Sequence, residues 1–145
     1  MAEIEQRAGG FDGGVCPCLR YRDAVAAIDW LCRVVGFEQQ LVVPDGQGGI
    51  AHSQLTLGAG MVMLSSDRED RYGFRAPHPD GTGAAMCCLL IRQIDDLYAK
   101  VTAAGVMALE GGLIETDYGS RCFTIKDPEG HLWHFGTYDP WQAPA

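Results

Sequence analysis

The chain is 145 residues long, 47% hydrophobic and 21% charged, the size and composition of one soluble globular domain or of two small halves sharing a core. Its formal net charge of −8, with no clustered Lys or Arg, argues against a nucleic-acid partner and against an anionic membrane surface. No apolar run approaches the roughly 18 residues of a membrane span, and the acidic, Gly-rich start is unlike a secretory signal, so a cytoplasmic protein is expected.

Residues 1–14, with Gly9, Gly10, Gly13 and Gly14, read as a flexible N-terminal arm, and residues 15–21 as a strand. Asp23 is a natural helix N-cap. Beyond it Ala24, Ile28, Leu31 and Val35 recur at helical spacing, and Gly36 offers the left-handed stop. Three strands are predicted next: residues 37–43, residues 50–57 after a Pro44-Asp45-Gly46 turn, and residues 61–64 after Gly58-Ala59-Gly60. Residues 65–84, rich in charge, Pro and Gly and carrying Tyr72 and Phe74, read as a linker or a lid.

The pattern then returns. Residues 85–91 are a strand, residues 94–104 a helix with Leu97, Val101 and Ala104 on one face, Gly105 its stop, and residues 106–115 a further strand. Residues 118–135 form a hairpin: Phe123 and Ile125 alternate on one strand, Asp127-Pro128-Glu129-Gly130 suits a type I turn, and Leu132 to Phe135 return. Residues 139–145 are a tail. By eye, Gln54-Leu55-Thr56-Leu57 falls on Cys122-Phe123-Thr124-Ile125, Cys18-Leu19 on Cys88-Leu89, and Gly36-Phe37 on Gly105-Val106. This predicts an internal duplication: an α+β chain of two tandem βαβββ modules, residues 15–64 and 85–138, whose U-shaped, mainly antiparallel sheets surround a concave cavity.

The element order, with the Tyr118-Gly119-Ser120-Arg121 and Asp127-Pro128-Glu129-Gly130-His131-Leu132-Trp133 segments, resembles the vicinal oxygen chelate superfamily of glyoxalases, bleomycin-resistance proteins and extradiol dioxygenases. Within it the chain looks most like the small glyoxalase-like or bleomycin-resistance-like bacterial proteins. The resemblance implies a homodimer and, in metal-using members, a divalent ion held from the first and last strands of each half. Those positions fall here on Cys16, Met63, Met86 and His134.

Strand parity separates two faces. Leu19, Tyr21, Leu55, Leu57, Val62, Leu64, Leu89, Ile91, Phe123, Ile125, Trp133 and Phe135 make the expected core. Opposite them stand Cys16, Cys18, Arg20, His52 and Gln54 in the first half, with Met63; in the second half stand Met86, Cys88, Cys122 and His134. These are the expected ligand-binding residues, a sulfur-rich lining with a few polar handles. His134 is the best candidate for a catalytic group, but no carboxylate is predicted beside it.

Thioethers offer hard divalent ions almost nothing, so no cofactor is expected; the alternative is a soft-metal site for Cu(I) or Zn²⁺ using Cys16 and His134. Arg20 suits a carboxylate or phosphate on a ligand, Arg121 an ion pair with Asp127 or Glu129, His131 a packing or turn-fixing role, and His78 a solvated one. None of the six cysteines is spaced C-x-x-C, and they read as reduced thiols. The function expected is metal-independent binding of a small, cationic or aromatic molecule in the concave cavity, with Tyr72, Phe74, Tyr138 and Trp141 available at its edges. The alternatives are a metal-dependent glyoxalase-like lyase, isomerase or dioxygenase, and a ligand-free structural or regulatory dimer.

Overall fold

Two four-stranded sheets carry the chain. In the computed structural model, which describes residues 12–142, β1 (Cys18–Tyr21), β2 (Glu38–Pro44), β3 (Ile50–Leu57) and β4 (Gly60–Ser66) lie in the order β1-β4-β3-β2. The second sheet repeats that order, β5-β8-β7-β6, from β5 (Met86–Leu90), β6 (Ile114–Glu115), β7 (Arg121–Lys126) and β8 (Leu132–Gly136). In each, the first strand pairs parallel with the last and the other pairings are antiparallel. The expected α+β architecture of two βαβββ modules is what the chain adopts. Most of the arm over residues 1–14 and part of the tail lie outside the described residues.

Helix α1 (Ala24–Trp30) begins where the Asp23 carboxylate accepts the Ala26 N–H at 3.1 Å, one of the donors a helix start leaves free. It continues as a π-helical turn, Leu31–Val35, in which the Leu31 carbonyl accepts from both Gly36 and Phe37 N–H (3.1 and 3.3 Å). The widened turn puts Leu31, Val34 and Val35 all into the core, and Gly36, at φ +103°, ends it. Helix α2 (Ile94–Ala103) packs on β7 and on this π-helical turn, with Asp95 and Asp96 in its first turn where the helix dipole favours acid.

Two strands are shorter than expected. β1 starts at Cys18 because Pro17 has no N–H to donate, although its carbonyl still accepts from Met63 N–H at 2.9 Å. Residues 106–115 pair only at Ile114–Glu115. Leu109 N–H reaches Thr124 O (2.8 Å), but Glu110, Gly111 and Gly112 all take positive φ and turn the chain out of the ladder.

The register also revises the by-eye alignment of the halves. Cys18 pairs with Met63 and Met63 with Gln54; Cys88 pairs with His134 and His134 with Thr124. Gln54 therefore corresponds to Thr124, not to Cys122. A slip of two residues preserves parity, which is why the two faces were separable all the same.

One apolar core serves both modules, from Leu19 and Leu55 through Leu31 to Trp133 and Phe135, with the Phe37 and Trp133 rings edge to face at 5.6 Å. The closing hairpin locks the halves together. Asp127 is buried, and its carboxylate accepts four hydrogen bonds: from Glu129 N–H (3.0 Å) and His131 N–H (3.1 Å) on one oxygen, and from the Tyr21 hydroxyl (2.5 Å) and Trp133 Nε1–H (3.0 Å) on the other. Glu129 accepts from Arg22 N–H and Asp23 N–H (2.6 and 2.9 Å). His131 Nδ1 accepts the Ala85 N–H at 2.9 Å, which fixes its proton on Nε2, 3.2 Å from the Arg20 carbonyl. A buried imidazole thus spans from β1 to the entry of β5.

Candidate functional site

The face of each sheet opposite the core bears one short row of side chains. In the first module the strand pairing sets Cys18, Met63 and Gln54 side by side across β1, β4 and β3; in the second it sets Cys88, His134 and Thr124 across β5, β8 and β7. All six are exposed or half-buried. The apolar side chains around them, Leu41, Val43, Met86 and Leu90, are between 39% and 52% exposed, so these faces are covered by nothing in the described chain.

The polar members are held by one another. His52 Nε2 donates to Gln54 Oε1 at 2.8 Å, and Gln54 Nε2 donates to Gln40 Oε1 at 2.6 Å. His134 Nδ1 shares a hydrogen bond of 2.8 Å with the Thr124 hydroxyl. Its Nε2 lies beside Gly136, 3.7 Å from where a Cβ would stand, an ordinary contact; such a Cβ would instead crowd Cys122 and Ser120, at 3.2 Å each. Strand parity puts Thr124 on this face without a role, and Gln40 and Gly136 were not singled out from the sequence. Thr124 and Gly136 share His134's parity, which was the available signal; the bulge that adds Gln40 to β2 left none.

The remaining expected residues stand differently. Cys122 is buried between its paired neighbours Ile114 and Gly136. Cys16 precedes β1, where its carbonyl accepts from the Cys18 thiol at 3.7 Å. Arg20 is 2% exposed and is clamped by residues 67–76: its Nη2 pairs with Asp70 at 2.6 Å, its Nη1 donates to the carbonyls of Arg68 (3.0 Å) and Phe74 (3.4 Å), and its guanidinium lies 4.0 Å over the Phe74 ring. That contact holds the Asp70 carboxyl below the usual carboxylate range. Arg121 pairs with Asp95 and Glu115 (2.8 and 3.1 Å), not with Asp127 or Glu129, which are turned to Tyr21, Trp133 and the start of α1. His78 is exposed beside Asp80.

Cys16, Met63, Met86 and His134 do not suit a hard divalent ion. The set contains no carboxylate and two thioethers. The strand neighbours of Met63 and His134 are Cys18 and Cys88, whereas Met86 pairs with Leu132 and Cys16 lies outside the ladder. Among the described residues no three His, Cys, Asp or Glu side chains gather as metal ligands would. Nor does a carboxylate stand against either concave histidine to orient it as a general base.

A family model for the Glyoxalase/Bleomycin resistance protein/Dioxygenase superfamily matches residues 15–135. Among solved structures, TioX from Micromonospora sp. ML1 is similar at 31% identity and a TM-score of 0.68, over 85% of this chain and 98% of that one. The virulence protein STM3117 from Salmonella typhimurium aligns at 23% identity (TM-score 0.61, 84% and 93% of the two chains), and a lactoylglutathione lyase from Agrobacterium tumefaciens at 21% (0.63, 85% and 92%). No curated protein matches the chain. No described helix is long and apolar enough to cross a membrane.

Proposed function

The chain belongs to the Glyoxalase/Bleomycin resistance protein/Dioxygenase superfamily, and within it we propose that this protein holds a small planar or amphipathic molecule on its concave faces without reacting with it. The observation that carries this reading is the pair of rows Cys18–Met63–Gln54 and Cys88–His134–Thr124. They supply polarizable sulfur for an aromatic surface and a few neutral hydrogen-bonding groups to orient it. They supply no acid–base pair and no hard-metal ligand set. The excess of negative charge over the whole chain favours a cationic compound at long range. All six cysteines are free thiols, which suits a reducing cytoplasm.

Titration calorimetry with a planar aromatic cation such as proflavine tests the proposal. Saturable binding is expected, with the dye recovered unchanged by mass spectrometry and the affinity indifferent to EDTA. His134→Ala should weaken it by about tenfold, the value of one hydrogen bond of about 1.4 kcal/mol. Metal-dependent conversion of a bound compound, lost in a folded His134→Ala variant, would overturn it in favour of catalysis.

A further inference from the structure

Between the edge of β1 and the segment 67–85 lies a cavity of about 760 Å³, within the range of small-molecule sites. It is bounded by Arg20, Arg22 and Arg75 and by a single carboxylate, Asp67. Asp67 is already neutralised: Arg75 donates to both its oxygens (3.0 and 2.8 Å) and Ala76 N–H adds a third bond at 2.7 Å, which together hold its carboxyl below the usual range. Arg20 and Arg75 are matched by Asp70 and Asp67, and Arg22 stands 3.8 Å from Glu129, so the arginines supply the cavity with guanidinium donors rather than with a net positive charge.

Arg20 supplies a second and independent sign. Its two terminal nitrogens are taken by Asp70 and by the carbonyls of Arg68 and Phe74, but its Nε–H is buried and meets no acceptor among the described residues. Buried donors are nearly always paired in native structures, and a guanidinium N–H most of all. Arg22 has donating capacity in reserve as well. Its Nη1 bonds the Pro77 carbonyl, while its Nε lies 3.8 Å from Glu129, beyond a good hydrogen bond. Leu19, Phe74, Pro77 and Ala85 give the wall an apolar stretch, beside His78, Thr82 and His131.

We infer that this cavity is a binding site for a small carboxylate with an apolar body, one carboxylate oxygen accepting from Arg20 Nε and the other engaging Arg22. The apolar stretch of the wall suits a carboxylate with a hydrocarbon body better than inorganic phosphate, which has none. The site is distinct from the concave rows, touching them only at Cys18, and it does not depend on the dye-binding reading above.

The test uses benzoate, its neutral isostere benzamide and inorganic phosphate, titrated into the full chain at low ionic strength and followed by calorimetry. Saturable benzoate binding that weakens with added salt is expected, with benzamide and phosphate each at least about tenfold weaker. Arg22→Gln should weaken benzoate by about tenfold, and Arg20→Lys, which keeps the charge but loses the Nε–H, by at least as much, with the fold of each checked by circular dichroism. Arg33→Gln, on the exposed side of the π-helical turn, should leave it unchanged. No saturable benzoate binding, benzamide binding as tightly as benzoate, phosphate binding more tightly, or full affinity in a folded Arg22→Gln variant would each overturn the assignment.

Discussion

Tyr21 shows how much one hydroxyl can be asked to hold. It sits at the end of β1, fully buried, and its O–H is the donor through which the first module grips the Asp127 carboxylate of the second. Burial, and after it the Asp127 charge and hydrogen bond, pushes the Tyr21 hydroxyl far above its ordinary value of 10.0. The folded chain therefore keeps this proton at a pH where the unfolded chain has released it. The stability so contributed is complete below pH 10 and is lost progressively as the pH rises beyond it. Tyr21→Phe should cost about 1.5–3 kcal/mol by urea unfolding at pH 7, because Asp127 keeps three donors but loses the phenol. The same variant should flatten the decline of stability above pH 10. A shallower slope begins earlier and belongs to Cys87, whose thiol burial and the neighbouring Cys88 push up from 9.0 to about 11; it should persist in the variant. A wild-type urea midpoint that stays level from pH 8 to 11 would show that Tyr21 is not held in this way.

At the scale of elements, residues 67–84 change meaning once Arg20 is placed. A connection rich in Pro, Gly and charge reads as a loop that moves, yet it is folded on a buried guanidinium and closed upon itself by the Asp67–Arg75 pair and by His78 N–H to Thr82 O at 2.8 Å. Limited trypsin digestion should spare Arg68, Arg71 and Arg75 in the wild type, whereas Arg20→Leu, which removes the donors but keeps an apolar filler, should open all three to rapid cleavage. Equal cleavage rates would mean that Arg20 does not hold the segment down.

The same contrast explains what was legible beforehand. Period-two alternation and Gly stops are local signals, so β3, the closing hairpin, both helices and the separation of the two faces could be read from neighbours in sequence. The contacts that cross the fold, Asp127 to Tyr21, Glu129 to Arg22 and Arg20 to Asp70, span 50 to 107 residues and leave no local trace. Arg121 misled for a different reason: Asp127 and Glu129 are turned toward the first module, while Glu115, just as near in sequence and paired with it across the strands, and Asp95 of α2 stand beside it. Residues 106–113 failed as a strand because positive φ at Glu110, Gly111 and Gly112 outweighed the apolar pattern of Val106, Ala108 and Leu113.

The whole molecule presents its two candidate half-sites outward. The modules meet through their helices, the π-helical turn and the hairpin, and that joint uses the apolar faces of both sheets. What remains open is the pair of concave faces, with Leu41, Val43, Met86 and Leu90 unusually exposed for their type. A pocket that surrounds a ligand needs a second wall, and a second copy of this chain would supply one for each face by twofold symmetry, satisfying the proposed binding role and covering the apolar side chains together. Light scattering should then give twice the 15.7 kDa chain mass at micromolar concentration. Leu90→Glu supplies the decisive arm, because a carboxylate on the β5 face would be costly inside an interface but attractive to a cationic dye on an open sheet. Dissociation to monomer with weakened proflavine binding is the result expected of a shared cavity. A monomeric wild type, or a monomeric variant that binds the dye as tightly as the parent, would place the whole site on one chain.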